Sequence, residues 1–132
     1  MGLTYAREKL FHSIDCKNLG DVRYILNKYP DLANEFMDKK QTCLPLTRAA
    51  WIGSVEIIKL LLEFQADVNK PVANGQTPLY LAIQKGRSAA VDFLIASGAK
   101  VDVADSVGYT PLDYAIIWGY YNIAQLLYSK VM

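Results

Sequence analysis

Residues 74–102 read NGQTPLYLAIQKGRSAAVDFLIASGAKVD, and the landmarks of this stretch recur on both sides of it. Pro78, Leu79, Ala82 and Gly86 are matched 33 residues earlier by Pro45, Leu46, Ala49 and Gly53, and 33 residues later by Pro111, Leu112, Ala115 and Gly119. A fixed period of this length marks a repeat architecture in which each unit buries its apolar face only against its neighbours. Thr77-Pro78 and Thr110-Pro111 put a capping hydroxyl directly before a residue whose φ is already helical, which makes a strong helix start. Gly53, Gly86 and Gly119 supply the left-handed conformation that stops that helix, and Ala49, Ala82 and Ala115 let neighbouring helices approach closely. A second helix follows, with Val55, Ile58, Leu61 and Leu62 as its apolar stripe. The period predicts the same role for Val91, Leu94 and Ile95, then for Ala124, Leu127 and Tyr128. Helix pairs are expected near 45–65, 78–97 and 111–129.

This succession of turn, Thr-Pro-Leu start, helix, glycine stop, second helix and return loop resembles the ankyrin repeat. The resemblance covers residues 19–130 and implies an all-α solenoid of stacked helix-turn-helix units with projecting β-turns. It divides a single domain, 1–132, into a degenerate capping repeat (1–36) and three full repeats (37–70, 71–103 and 104–132). In the first unit Gly20, Val22 and Ile25 are in frame with Gly53, Val55 and Ile58, which sets Lys28 where the others have leucine. Asp31 lies 14 residues before Pro45 whereas Asp67 lies 11 before Pro78, so the first inter-repeat loop is about three residues longer. Leu44 replaces the capping threonine, with Thr42 as a substitute cap. The family's histidine after Thr-Pro-Leu is replaced by Thr47, Tyr80 and Asp113, and Gln65 stands where Gly98 marks the later turn.

With 14 basic and 13 acidic residues the net charge is +1, so no global field draws the chain to nucleic acid or a membrane. Hydrophobic residues make up 52% of the chain, ample for a continuous core, and no run approaches the ~18 apolar residues of a membrane span. The N-terminus lacks a secretory pattern, and Ala6 stands where a myristoylation motif has Ser or Thr. Cys16 and Cys43 are too few for a disulfide framework and fit a reducing, intracellular compartment, cytoplasmic or nuclear; Cys16 falls where the repeat has a small buried residue. The only histidine, His12, has no acidic or cysteine motif around it, the cysteines lack zinc spacing, and the glycines are helix stops rather than a phosphate loop. No enzyme activity, cofactor or metal is expected.

Binding is the other use of a solenoid, because positions outside the stacking core are free to vary. The resemblance implies contacts from the residues before each stop glycine, here Trp51 and Ile52, Gln84 and Lys85, Ile117 and Trp118. It implies further contacts from the turns, at Lys40, Gln41 and Cys43, at Asn74 and Gln76, and at Ser106, Val107 and Tyr109. Two tryptophans in such places point to a protein partner, a helix or extended segment, since Trp and Tyr dominate interface hot spots. The competing reading folds each tryptophan over its own repeat. Lys39, Lys40, Arg48, Lys70 and Lys85 resemble a single-stranded nucleic-acid groove only weakly, and solvated repeat tips account for them better. The tyrosines of the last unit are read as a wettable cap on a monomer, with weak self-association or continuation into a longer array as alternatives. A different class of function is a targeting or regulatory domain of a larger enzyme or signalling protein. Asn69, closing LLLEFQADVN, resembles the ankyrin asparagine accepted by the oxygen-sensing hydroxylase, although its turn-shaping role is the stronger reading.

Overall fold

The computed structural model describes residues 2–131. Its helices are α1 (Leu3–Asp15), α2 (Leu19–Lys28), α3 (Pro45–Ile52), α4 (Val55–Glu63), α5 (Pro78–Gln84), α6 (Ser88–Ala96), α7 (Pro111–Ile117) and α8 (Tyr121–Val131), with a 3₁₀ turn at Pro30–Asn34. No strand occurs among the described residues. The first helices α1, α3, α5 and α7 stack in order, and α2, α4 and α6 form a second layer behind them. Pro45, Pro78 and Pro111 each open a helix, and Gly53, Gly86 and Gly119 take φ of +86°, +65° and +79° after it. The first two also admit close neighbours: a Cβ at Gly53 would meet the Arg87 side chain at 2.6 Å, and one at Gly86 the Tyr120 ring at 2.8 Å. Ala49, Ala82 and Ala115 are fully buried where the stacked helices meet.

The first repeat runs in a different frame from the one expected. Lys17, at φ +56°, makes the left-handed turn that Gly53 makes one repeat later. Asn18 then caps α2 by accepting from the Asp21 N–H, as Ser54 caps α4 by accepting from Ile57. The offset is therefore 36 rather than 33, and Val22 and Ile25 match Ile58 and Leu61 in the core. Lys28 does not replace a core leucine; it is an exposed last-turn residue. Cys16 is exposed as well, and the small buried position belongs to Ser13. Its hydroxyl has no hydrogen-bond partner among the described residues. Ser13→Ala should thus leave urea stability unchanged or raise it by up to about 1 kcal/mol, because alanine is the better helix former and the hydroxyl is desolvated without return. A loss above about 1 kcal/mol would contradict this frame.

Three further expectations change in detail. Thr42 does not cap α3: its backbone N–H and its hydroxyl both donate to Asp38. The start of α3 is tied by Thr47, whose hydroxyl oxygen accepts from the Leu44 N–H at 2.9 Å. At α5, Thr77 makes no side-chain cap, whereas Thr110 accepts from the Asp113 N–H and Asp113 accepts from the Thr110 N–H. Tyr128 is not in the core stripe but exposed on α8. Gln65 does build its turn as a glycine would, at φ +68°.

Candidate protein-interaction face

The turns before α3, α5 and α7 lie side by side and are joined in succession through the backbone. The Ala73 N–H donates to the Gln41 carbonyl at 2.8 Å, and the Ser106 N–H to the Asn74 carbonyl at 2.9 Å. Three different residues replace one histidine in bracing these turns. Thr47 and Asp113 act locally, while the buried Tyr80 donates to the Tyr109 carbonyl at 2.8 Å and engages the Val103 carbonyl. Burial pushes the Tyr80 phenol above its ordinary range, so it stays a donor.

Asp105 organises the last turn. Its carboxylate accepts from the N–H groups of Val107, Gly108 and Tyr109 at 3.0–3.1 Å, from the Gln76 amide at 3.1 Å and from the Tyr114 hydroxyl at 2.5 Å. Burial works to raise this carboxyl, but the bonds from Tyr114, Gln76 and the backbone outweigh it and hold it at about 2. The Gln76 amide nitrogen is thus engaged in bracing the last turn. Cys43 is likewise half-buried, and desolvation pushes its thiol up to about 11.

The remaining expected contact residues form two chemically distinct stretches. Across the first three repeats runs a stack of cations on rings: the Arg48 guanidinium lies 5.1 Å from the Phe11 ring and 4.8 Å from the Trp51 ring, and the Lys85 ammonium lies 4.8 Å from Trp51. Asp15 anchors Arg48 at 2.6 Å, and the Arg87 guanidinium donates to the Trp51 carbonyl at 3.3 Å. Trp51 is half-buried in this stack, and Ile52 is half-buried beside it. In the last repeat Trp118 stacks on Tyr114 at 4.8 Å, and Tyr109 and Tyr80 meet Tyr114 edge-on at 5.5 and 5.6 Å. Here the apolar surface is open, with Trp118 at 40%, Ile117 at 58% and Val107 at 72% exposure. The two tryptophans therefore differ: one is clamped between cations of its own chain and the other is stacked on Tyr114 and open to solvent. Lys40, Gln41, Asn74, Gln84 and Lys85 are exposed.

Asn69 is tied down at both ends of its amide, donating to the Gly98 carbonyl at 3.1 Å and accepting from the Lys100 N–H at 2.8 Å. Asn34 makes the same clamp one repeat earlier, to the Gln65 carbonyl and the Asp67 N–H at 2.8 and 2.7 Å. Sequence reasoning passed over Asn34, which the 36-residue frame brings close to the position of Asn69.

Comparison with known proteins fits this geometry. A family model described as ankyrin repeats, in three copies, matches residues 46–131. The chain belongs to the ankyrin-repeat family. Ankyrin repeats are in general protein–protein interaction modules. Similar proteins include the glycerophosphocholine phosphodiesterase gde1 of Schizosaccharomyces pombe, 40% identical over 58% of this chain and 7% of its own length. The ankyrin repeat and SAM domain-containing protein 6 of Rattus norvegicus is 31% identical over 84% of this chain and 12% of its own. The ankyrin repeat domain-containing protein OPG015 of monkeypox virus is 42% identical over 80% and 25%. This ankyrin array thus spans a quarter or less of the length of these relatives. Among the described residues no cluster of metal-ligating side chains occurs, and no helix is long and apolar enough to cross a membrane.

Proposed function

We propose that this array is a non-enzymatic binding module that holds an elongated segment of a partner protein, a helix or extended strand, against its first helices and turn tips. Trp118, Ile117 and Tyr109 supply an apolar anchor, Trp51 with Ile52 a second, and Lys85 and Gln84 the polar centre between them. Lys40, Gln41, Asn74 and Val107 supply contacts from the turns. The observation that carries this reading is the open aromatic patch of the last repeat, on a fold whose core is satisfied elsewhere. The array acts as an intracellular monomer in this reading.

Affinity purification from source cells, with wild type beside a Trp51→Ala/Trp118→Ala variant, tests it. A partner should be retained by the first and lost from the second, while Tyr128→Ala on α8 retains it. Equal recovery from all three would defeat the proposal.

The small share of its relatives that the chain spans favours a second reading, in which the array targets or regulates a larger enzyme or signalling protein. The two readings share one surface and differ in whether the partner is another chain. Asn69 is proposed as a hydroxylation site as well, in an animal source. Peptide mass spectrometry showing Asn69 without an added oxygen in such cells would rule that out.

A further inference from the structure

We infer that Arg87 receives a carboxylate of the partner segment, an Asp or Glu lying between the residues that meet Trp51 and Trp118. This inference rests on the binding reading above and names the chemistry of its partner. Arg87 stands at the N-cap of α6, the place from which Asn18 and Ser54 cap α2 and α4. That place favours a short acceptor side chain, and the helix dipole disfavours a cation there. Arg87 gives α6 no side-chain cap, so position 87 departs from what the fold alone favours. Its stem crosses back over Gly53, where a Cβ would meet it at 2.6 Å, and its Nε donates to the Trp51 carbonyl at 3.3 Å. That bond uses one of the guanidinium donors and leaves Nη1 and Nη2 without a partner among the described residues. A guanidinium pinned at Nε and free at its Nη pair is a preorganised fork for a carboxylate, which accepts two parallel bonds from it.

The charge around Trp51 is one-sided although the whole chain is nearly neutral. Arg48 and Lys85 each lie 4.8 Å from its ring, and Arg87 bonds its carbonyl. Asp15 neutralises Arg48 at 2.6 Å, whereas Lys85 and Arg87 form no ion pair among the described residues. The other carboxylates are engaged or lie elsewhere. Asp105 and Asp113, nearest to Trp118, accept from the N–H groups of their own turn. Glu8 and Asp38 line a cleft with Phe36 and Met37 of the lengthened first loop, to which Trp51, Lys85 and Arg87 do not contribute, and Glu8 is about 10 Å back along α1 from Asp15. Glu56 faces Leu19 and Arg23 of α2, and Asp92 lies more than a turn further along α6, in register with Lys59 of α4. Two cations short of a counter-ion beside an apolar ring are complementary to a carboxylate among apolar residues and repel a basic segment.

Selection of random peptides displayed on phage against the whole chain, followed by fluorescence anisotropy of the enriched peptides, tests this. Enriched peptides should carry Asp or Glu among Leu, Phe or Trp, and their affinity should fall as salt rises. Replacing that peptide carboxylate by its amide should weaken binding at least about tenfold to wild type and less than about twofold to Arg87→Gln, the coupling expected of a direct pair. Arg87→Lys, which keeps the charge and removes the fork, should weaken the acidic peptide about fivefold with an unchanged melting midpoint. Enriched peptides without an acidic residue, or an amide replacement that costs as much in Arg87→Gln as in wild type, would overturn the inference. So would tighter binding of a phosphoserine replacement than of the carboxylate peptide, or tighter binding of an oligothymidine of matching length. Peptides weakened by Trp51→Ala and Trp118→Ala but indifferent to Arg87→Gln and Arg87→Lys would remove the carboxylate site and leave the proposed face standing. Peptides unmoved by both tryptophan variants would remove the face and the inference with it, as would enrichment of none.

Discussion

Leu94→Ala is expected to lower the free energy of unfolding by about 2–5 kcal/mol, the range for truncating a buried leucine whose surroundings relax only in part. Leu94 is fully buried on α6, in the second layer, and its carbonyl also accepts from the N–H of Ala99 in the turn that follows. In a stack held by nearest-neighbour contacts the loss should not stay in its own repeat. Hydrogen exchange should therefore quicken in α4 and α8 as well as in α6. A change below about 0.5 kcal/mol in urea unfolding would show that the position is not part of the core.

Asp105→Ala should cost about 2–4 kcal/mol, because it strips the acceptor from three backbone N–H groups, the Gln76 amide and the Tyr114 hydroxyl at once. Asp105→Asn keeps the shape and should cost less. The same group predicts acid sensitivity. Its folded value of about 2 lies below the unfolded value near 3.9, so its contribution is complete above that unfolded value and is lost as pH falls through 4 towards 2. Melting midpoints of wild type and Asp105→Asn should converge over that window. A constant gap between them from pH 6 to pH 2 would contradict the assignment of the charge.

The three full repeats were legible because their signals are local: a proline that opens a helix, a glycine that closes it and a leucine stripe between. The first repeat was not, because Lys17 makes its left-handed turn and no glycine marks the place. Gly20 offered a false match. The spacing of Asp31 and Asp67 held the correct frame, since both are 36 residues apart, but it was read as loop length alone. Replacement of one bracing histidine by Thr47, Tyr80 and Asp113 was visible, yet what each would bond was not, since Tyr80 acts across to the next turn. The difference between the tryptophans was hidden for the same reason. Lys85, which follows α5, comes over Trp51 of α3, a contact between repeats that no pattern within one repeat reveals. Phe36 and Met37 went unnoticed as lining residues although the lengthened loop that carries them was recognised. Length marks where a loop departs from the stack and says nothing of what it encloses.

The central claim is that the first helices and turn tips hold the partner while the scaffold stands apart from it. The most direct measurement is a titration of the partner recovered in the purification above, by anisotropy or calorimetry, against wild type, Trp51→Ala, Trp118→Ala and Lys85→Ala, with melting midpoints taken on the same samples. Each tryptophan variant is predicted to weaken binding at least about thirtyfold, equivalent to about 2 kcal/mol, with the fold intact, and Lys85→Ala less than either. Wild-type affinity in both tryptophan variants, or unfolding of both before binding can be read, would assign the tryptophans to the scaffold and contradict the account.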